Sequence, residues 1–144
     1  MGNMEANKAT FPPGIERDVE LLLAGGVPVE LVDHGGQCYV VVKALATPDP
    51  RWGASSHDLL IAVPLAFETA GLDAFYLREP HTFNGGAHPR VQGAIIQVQE
   101  VKWRLVSWHY APNKQWLAGQ DSLSSHIEHC RGFFLNRKAI NGYQ

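Results

Sequence analysis

The chain has 144 residues, 45% of them apolar, and a formal net charge of −2 with histidine counted as neutral. That supports one domain with a real core and leaves two cramped. No run of Lys and Arg exceeds two residues, so nothing marks a phosphate-backbone partner and nucleic acid is not expected. The first residues, MGNMEANKATF, are polar, and no apolar run approaches membrane-spanning length, which predicts a cytoplasmic protein with no membrane partner.

Residues 1–12 read as a mobile tail ending at Pro12-Pro13. A helix is expected next. Ile15, Val19, Leu22 and Leu23 recur at i, i+4, i+7 and i+8, which gathers them on one face. Gly25-Gly26 supplies the stop. VPVELVD and CYVVVKALA flank Gly35-Gly36, the pattern of a β-hairpin. Parity divides the second strand: Cys38, Val40, Val42 and Ala44 face inward, while Tyr39, Val41 and Lys43 face water.

TPDPRWGASSH is a loop by its Pro, Gly and Ser content. DLLIAVP is a short apolar strand ended by Pro64, residues 65–72 are irregular or a helical turn, and DAFYL is another strand. REPHTFNGGAHPRVQG is a long loop, of a length that is usually functional or disordered. Residues 94–106 read as extended, with a change of phase. Ile96 and Val98 share one parity and Val101, Trp103 and Leu105 the other, so a bulge or turn falls near Gln99-Glu100.

A final helix is expected from Asp121, a good N-cap residue. Leu123, Ile127, Cys130 and Phe134 fall at i, i+4, i+7 and i+11, an inward stripe. Cys130 then joins Cys38 in the core, and two cysteines without a CxxC make no disulfide framework. His126, His129 and Cys130 spell HxxHC, and i, i+3 ligands can share a metal. Cys130 faces inward, however, and no second ligand cluster stands out. The two histidines are therefore read as a solvated helix face, with no metal or cofactor expected. The order is helix, antiparallel strands, long loop and helix, an α+β layer over residues 13–136 followed by a tail at 137–144.

Four landmarks occur in sequence: LLIAVP at 59–64, LDAFYLREP at 72–80, WRLVSWHY at 103–110 and QWLAGQDSL at 115–123. Together they resemble the ubiquitin-conjugating (UBC) superfamily, and within it the bacterial group called prokaryotic family E. LLIAVP is similar to the strand and proline before that family's tyrosine-proline segment. LDAFYLREP and WRLVSWHY are similar to its Asp-x-Phe-Tyr-Leu and Trp-Ser-His stretches. QWLAGQDSL is similar to the tryptophan and helix start that follow the active site in the wider superfamily. The resemblance implies a UBC-like fold with an N-terminal helix, an antiparallel meander sheet and a C-terminal crossing helix. It also implies acyl transfer, with a ubiquitin-activating-like enzyme and a ubiquitin-like protein as partners. The chain departs from the pattern in places. Ala66-Phe67-Glu68 replaces the tyrosine-proline pair, and His88-Pro89-Arg90 resembles His-Pro-Asn with Arg90 in place of the asparagine, 19 positions before Ser107.

A conjugating enzyme normally carries its cargo on a cysteine, because a thiolate forms near neutral pH and a thioester is a reactive donor. Neither cysteine fits here. Counting back from Trp116 by the superfamily's usual interval lands on Trp108, one residue from Ser107. Ser107 then stands at the cysteine position and would carry an oxyester. A hydroxyl needs a base, and His109 is the candidate. In an extended chain the two would sit roughly 6–7 Å apart, so the chain must turn there or a water must bridge. Asn84, Asn113 and backbone N–H groups are candidate oxyanion donors. Arg90 and the glycines of the 81–93 loop could wall a groove for the modifier's tail. Two other readings stand beside this one. Ser107 shares parity with Trp103 and Leu105 and could be a small core residue, which would make the chain a catalytically inactive binding module for the modifier or its activating enzyme. An unrelated serine hydrolase lacks both a GxSxG elbow and an evident triad.

Overall fold

The computed structural model describes residues 11–110 and 115–135; apart from Phe11 and Pro12, the tails expected at 1–12 and 137–144 lie outside the described residues. Helix α1 spans Pro13–Ala24. Its proline start suits the first helical turn, where an N–H would have no partner. Ile15 and Val19 are buried and Leu22 packs against them, but Leu23 is 51% exposed, so the inward face is narrower than the sequence suggests.

Six strands follow: β1 Val29–His34, β2 Gln37–Ala46, β3 Ser56–Val63, β4 Phe75–Arg78, β5 Ile95–Val98 and β6 Val101–Val106. They form one antiparallel sheet in the order β1-β2-β3-β4-β6-β5. Gly35 and Gly36 turn the first hairpin with φ of 61° and 85°, as a tight two-residue turn demands. The phase change near Gln99-Glu100 is a second such turn, closed by the Val98–Val101 pair, with φ of 55° and 65° on two residues that are not glycine. β3 begins at Ser56, two residues before the expected DLLIAVP strand.

Parity along β2 holds only as far as Val42. Ala44 has φ 54°, and the pairing with β3 shifts register between Val42 and Leu45. This bulge reverses the phase, so Ala44 is exposed and Leu45 takes the inward place. The outward face also differs from expectation. Val41 pairs with Leu60, which in turn pairs with Tyr76, and this row of cross-strand neighbours leaves Val41 only 8% exposed. Val32, Val41, Leu60, Val98 and Trp103 form a second apolar cluster, with Tyr39 and Tyr76 packed on it.

The main core lies on the other face. Cys38, Val40, Val42, Leu59, Ile61, Phe75, Leu77 and Val106 meet Ile15 and Val19 of α1 and the apolar side of helix α2, Leu123–Phe134. The α2 cap is Ser122, one residue after the expected Asp121. Ser122 and Ser125 exchange side-chain and backbone hydrogen bonds in a capping box, while Asp121 accepts the N–H of Leu117. Leu123, Ile127, Cys130 and Phe134 are buried as the stripe predicts. His126 and His129 are not solvated: they are 0% and 5% exposed. The segment after β6 lies over them and covers the face that an isolated helix would present to water. The result is the expected α+β UBC-like fold, and among the described residues no helix is long and apolar enough to cross a membrane.

Candidate functional site

β6 ends in a turn centred on Ser107. The N–H of Trp108 donates to the carbonyl of Val106 at 3.0 Å, and Ser107 is not among the residues with positive φ. That is an inverse γ-turn, a common way to leave a strand. Ser107 sits at its apex and is exposed. It is not a core residue beneath Trp103, which lies in the far-face cluster with its indole N–H on the Val98 carbonyl. Trp108 holds the turn from below: it is 2% exposed, and its Nε1–H donates to the His129 carbonyl at 2.6 Å. Ser107 therefore stands outside while its neighbour is fixed in the core.

His109 is exposed and meets Asp73, with Nδ1 lying 3.2 and 3.3 Å from the two carboxylate oxygens. A carboxylate only accepts, so Nδ1 carries the hydrogen and Nε2 is left as the basic nitrogen. An acid that orients an imidazole in this way is what a hydroxyl nucleophile requires of its base. No hydrogen bond joins Ser107 to His109 among the described residues. Sequence reasoning missed Asp73. Its signal is the pairing of Phe75 with Val106, which sets the residues just before β4 against those just after β6. Tyr110 and His126 were missed as well. The Tyr110 hydroxyl lies 2.8 Å from His126 Nδ1, and His126 Nε2 lies 3.2 Å from the Ala74 carbonyl. Burial, followed by the neighbouring His129, depresses the His126 pKa to about 3 and keeps the ring neutral.

His88-Pro89-Arg90 lies beside Ser107 despite the 19-residue separation, because the long loop folds back along β6. The Ser107 N–H donates to the Arg90 carbonyl at 3.1 Å. Behind it runs a chain of hydrogen bonds. The Arg90 N–H donates to His88 Nδ1, the His88 N–H to His81 Nε2, and His81 Nδ1 lies against Glu79, which also accepts from Arg104 at 2.7 Å. Burial raises the Glu79 pKa, but its bonds from Arg104 and His81 together outweigh that and lower it. His88 stacks on Trp52 with 4° between the rings and 5.3 Å between centroids. Its burial, with His81 and the nearby arginines adding to the effect, lowers its pKa to about 4, which leaves Nδ1 open to accept. Gly93 closes the loop where a Cβ would come within 2.7 Å of Leu105.

No hydrogen bond joins Asn84 to Ser107 among the described residues. Asn84 is tied through its backbone to Arg51, and Asn113 lies outside the described residues. Cys38 and Cys130 are buried. Burial, with Asp33 and Glu16 adding to it, lifts the Cys38 thiol to about 11, and burial lifts Cys130 well above its usual range. Both are held as thiols and not as nucleophilic thiolates. Among the described residues, His126, His129 and Cys130 belong to no cluster that could hold a metal ion. A cleft of about 350 Å³ opens beside Asp73, lined by Pro64, Gly71, Ala74, Tyr76 and Leu105 among others. Arg90 does not line it.

Comparison with curated proteins and with solved structures finds no match. A sequence model of one protein family does match, over residues 15–135, a span that runs from α1 through the sheet and the Ser107 turn to the end of α2. Helix, antiparallel sheet and closing helix occur in the order that family implies, and on that match the chain belongs to prokaryotic E2 family E, a group of ubiquitin-conjugating-like proteins.

Proposed function

We propose that this protein accepts a ubiquitin-like modifier from an activating enzyme, carries it as an oxyester on Ser107, and passes it to an amine. The observation that carries this reading is the exposure of Ser107 at the apex of a γ-turn, in the WRLVSWHY segment, while both cysteines are buried. His109, held by Asp73, is the base. In the loading step the Ser107 hydroxyl attacks the activated C-terminal carbonyl of the modifier. The new C–O bond forms, the bond to the activating enzyme's leaving group breaks, and the proton passes through His109 Nε2 to that leaving group. In the transfer step the amine attacks the ester. The C–N bond forms, the C–O bond breaks, and Ser107 regains a proton by way of His109. No hydrogen bond joins the Ser107 and His109 side chains among the described residues, so the modifier's arrival must bring the hydroxyl and imidazole together, directly or through a water. The cleft beside Asp73 is where this reading places the modifier's extended tail. The activating enzyme consumes ATP, which makes the cytoplasm the setting.

The test is to mix the protein with its activating enzyme, ATP and modifier and separate the products on denaturing gels. An adduct labile to hydroxide, resistant to thiols and lost in Ser107→Ala is expected. No adduct with binding retained would make the protein a binding module. An adduct that survives Ser107→Ala but is lost in Cys38→Ala or Cys130→Ala would sink the assignment to serine.

A further inference from the structure

The contact between His109 and Asp73 is made in water, with the two side chains 55% and 66% exposed. Solvent competes for both partners, and an exposed pair of this kind holds its own geometry weakly. The next residue along each segment is different. Tyr110 follows His109 and Ala74 follows Asp73, and His126 of α2 bridges them from the core. Its Nε2 faces the Ala74 carbonyl at 3.2 Å and can only donate there, so Nδ1 must accept, and the Tyr110 hydroxyl donates to it at 2.8 Å. The Tyr110 ring also stacks on His129, with 3.9 Å between centroids and 12° between planes. Residues 73–74 and 109–110 are thus joined twice, once in solvent and once through a fully buried imidazole.

Packing alone does not account for His126. A leucine would fill an apolar site without requiring two polar partners from two separate segments, and a buried polar group is costly unless it finds them. We propose that Tyr110 and His126 are positioning residues, a buried clamp that holds His109 against Asp73 and so keeps the His109 base in its Nδ1–H tautomer above the Ser107 turn. This rests on the reading of His109 as the base. The clamp itself is a property of the free protein.

That separation shapes the test. Ring ¹⁵N–¹H correlation spectra of the full chain report the tautomer of each histidine without modifier or activating enzyme. In the wild type, His109 is expected as the Nδ1–H form and His126 as the Nε2–H form. Tyr110→Phe removes one hydroxyl and keeps the ring stacked on His129. It is expected to release His109 into a mixture of tautomers, as Asp73→Asn should, and to slow adduct formation about tenfold with binding of the activating enzyme unchanged. His126→Leu should behave like Tyr110→Phe. His126→Gln, whose amide can accept from Tyr110 and donate to Ala74, should keep the wild-type tautomer and rate. A His109 spectrum unchanged in both Tyr110→Phe and His126→Leu overturns the clamp. If those spectra change as expected while the wild type forms no adduct, the clamp stands and the ester on Ser107 falls.

Discussion

Asp73 and His109 are 36 residues apart in the chain and meet through a carboxylate and an imidazole Nδ1 at 3.2 Å. The contact is set by strand register: antiparallel β4 and β6 pair Phe75 with Val106, so the chain enters β4 at the same end of the sheet at which it leaves β6. An acid, an imidazole and an exposed hydroxyl are thereby gathered at one end of two neighbouring strands.

If this arrangement is the loading site, its parts fail unequally. His109→Ala removes the base and should slow single-turnover adduct formation by about 10²-fold or more. Asp73→Asn keeps the size of the side chain but loses the carboxylate that orients the ring, and the loss should be smaller. Neither variant should change stability by more than about 1 kcal/mol, because the pair is exposed. Rapid-quench gels and urea melts measure the two effects separately.

The cysteines should be silent in the native protein. Ellman's reagent at pH 8 is expected to find almost no reactive thiol until denaturant is added, since burial holds Cys38 near 11 and Cys130 well above its usual range. Rapid labelling of either thiol under native conditions would contradict the packing described above.

Acid should destabilise the fold in a defined window. His126 and His88 titrate at about 3 and about 4 in the folded protein, below the value of about 6.5 expected in an unfolded chain. Their contribution is complete above the unfolded value. Between about pH 6.5 and pH 4 the unfolded state binds more protons, so stability falls as pH falls. Unfolding at pH 5 should take up about one proton for each of these histidines. The slope of urea midpoint against pH should be shallower in His88→Gln.

Gly71 lies under the Trp116 ring, and a Cβ there would overlap it. Trp116 is also held by its indole N–H on the Glu68 carbonyl at 2.9 Å, so it cannot move away without losing that bond. Gly71→Ala is expected to cost about 1–3 kcal/mol in chemical denaturation, the usual range for overpacking.

The β5–β6 turn should be improvable. Gln99 and Glu100 both hold positive φ, where a Cβ is disfavoured. Glu100→Gly is expected to stabilise the protein by about 1 kcal/mol, read as a higher urea midpoint with unchanged slope.

Local features were legible from the chain. Gly35-Gly36 announced its hairpin, because a tight turn is a matter of backbone chemistry at the residues themselves, and the change of phase at Gln99-Glu100 announced a bulge or turn, which is the second hairpin. The 3.6-residue period put Leu123, Ile127, Cys130 and Phe134 in the core, and alternation did the same for Cys38. The ordered landmarks around Trp103 and Trp116 pointed to the UBC-like fold. Alternation also put Ser107 on one parity with Trp103 and Leu105.

It did not tell what lies on either side. A period says which residues share a face, while burial depends on what another segment brings to that face. His126 and His129 are buried because Trp108 and Tyr110 come to rest on them. Val41 is shielded by neighbours from the next strands, and a single bulge at Ala44 cancels the parity beyond it. Asp73 gains its partner only through the β4–β6 register, and Arg90 reaches Ser107 only because sixteen residues of loop, 79–94, fold back. The residue types and their order determined the family and the candidate nucleophile. Long-range pairing decided which acid meets the histidine, which histidine is buried, and that Ser107 stands at the surface.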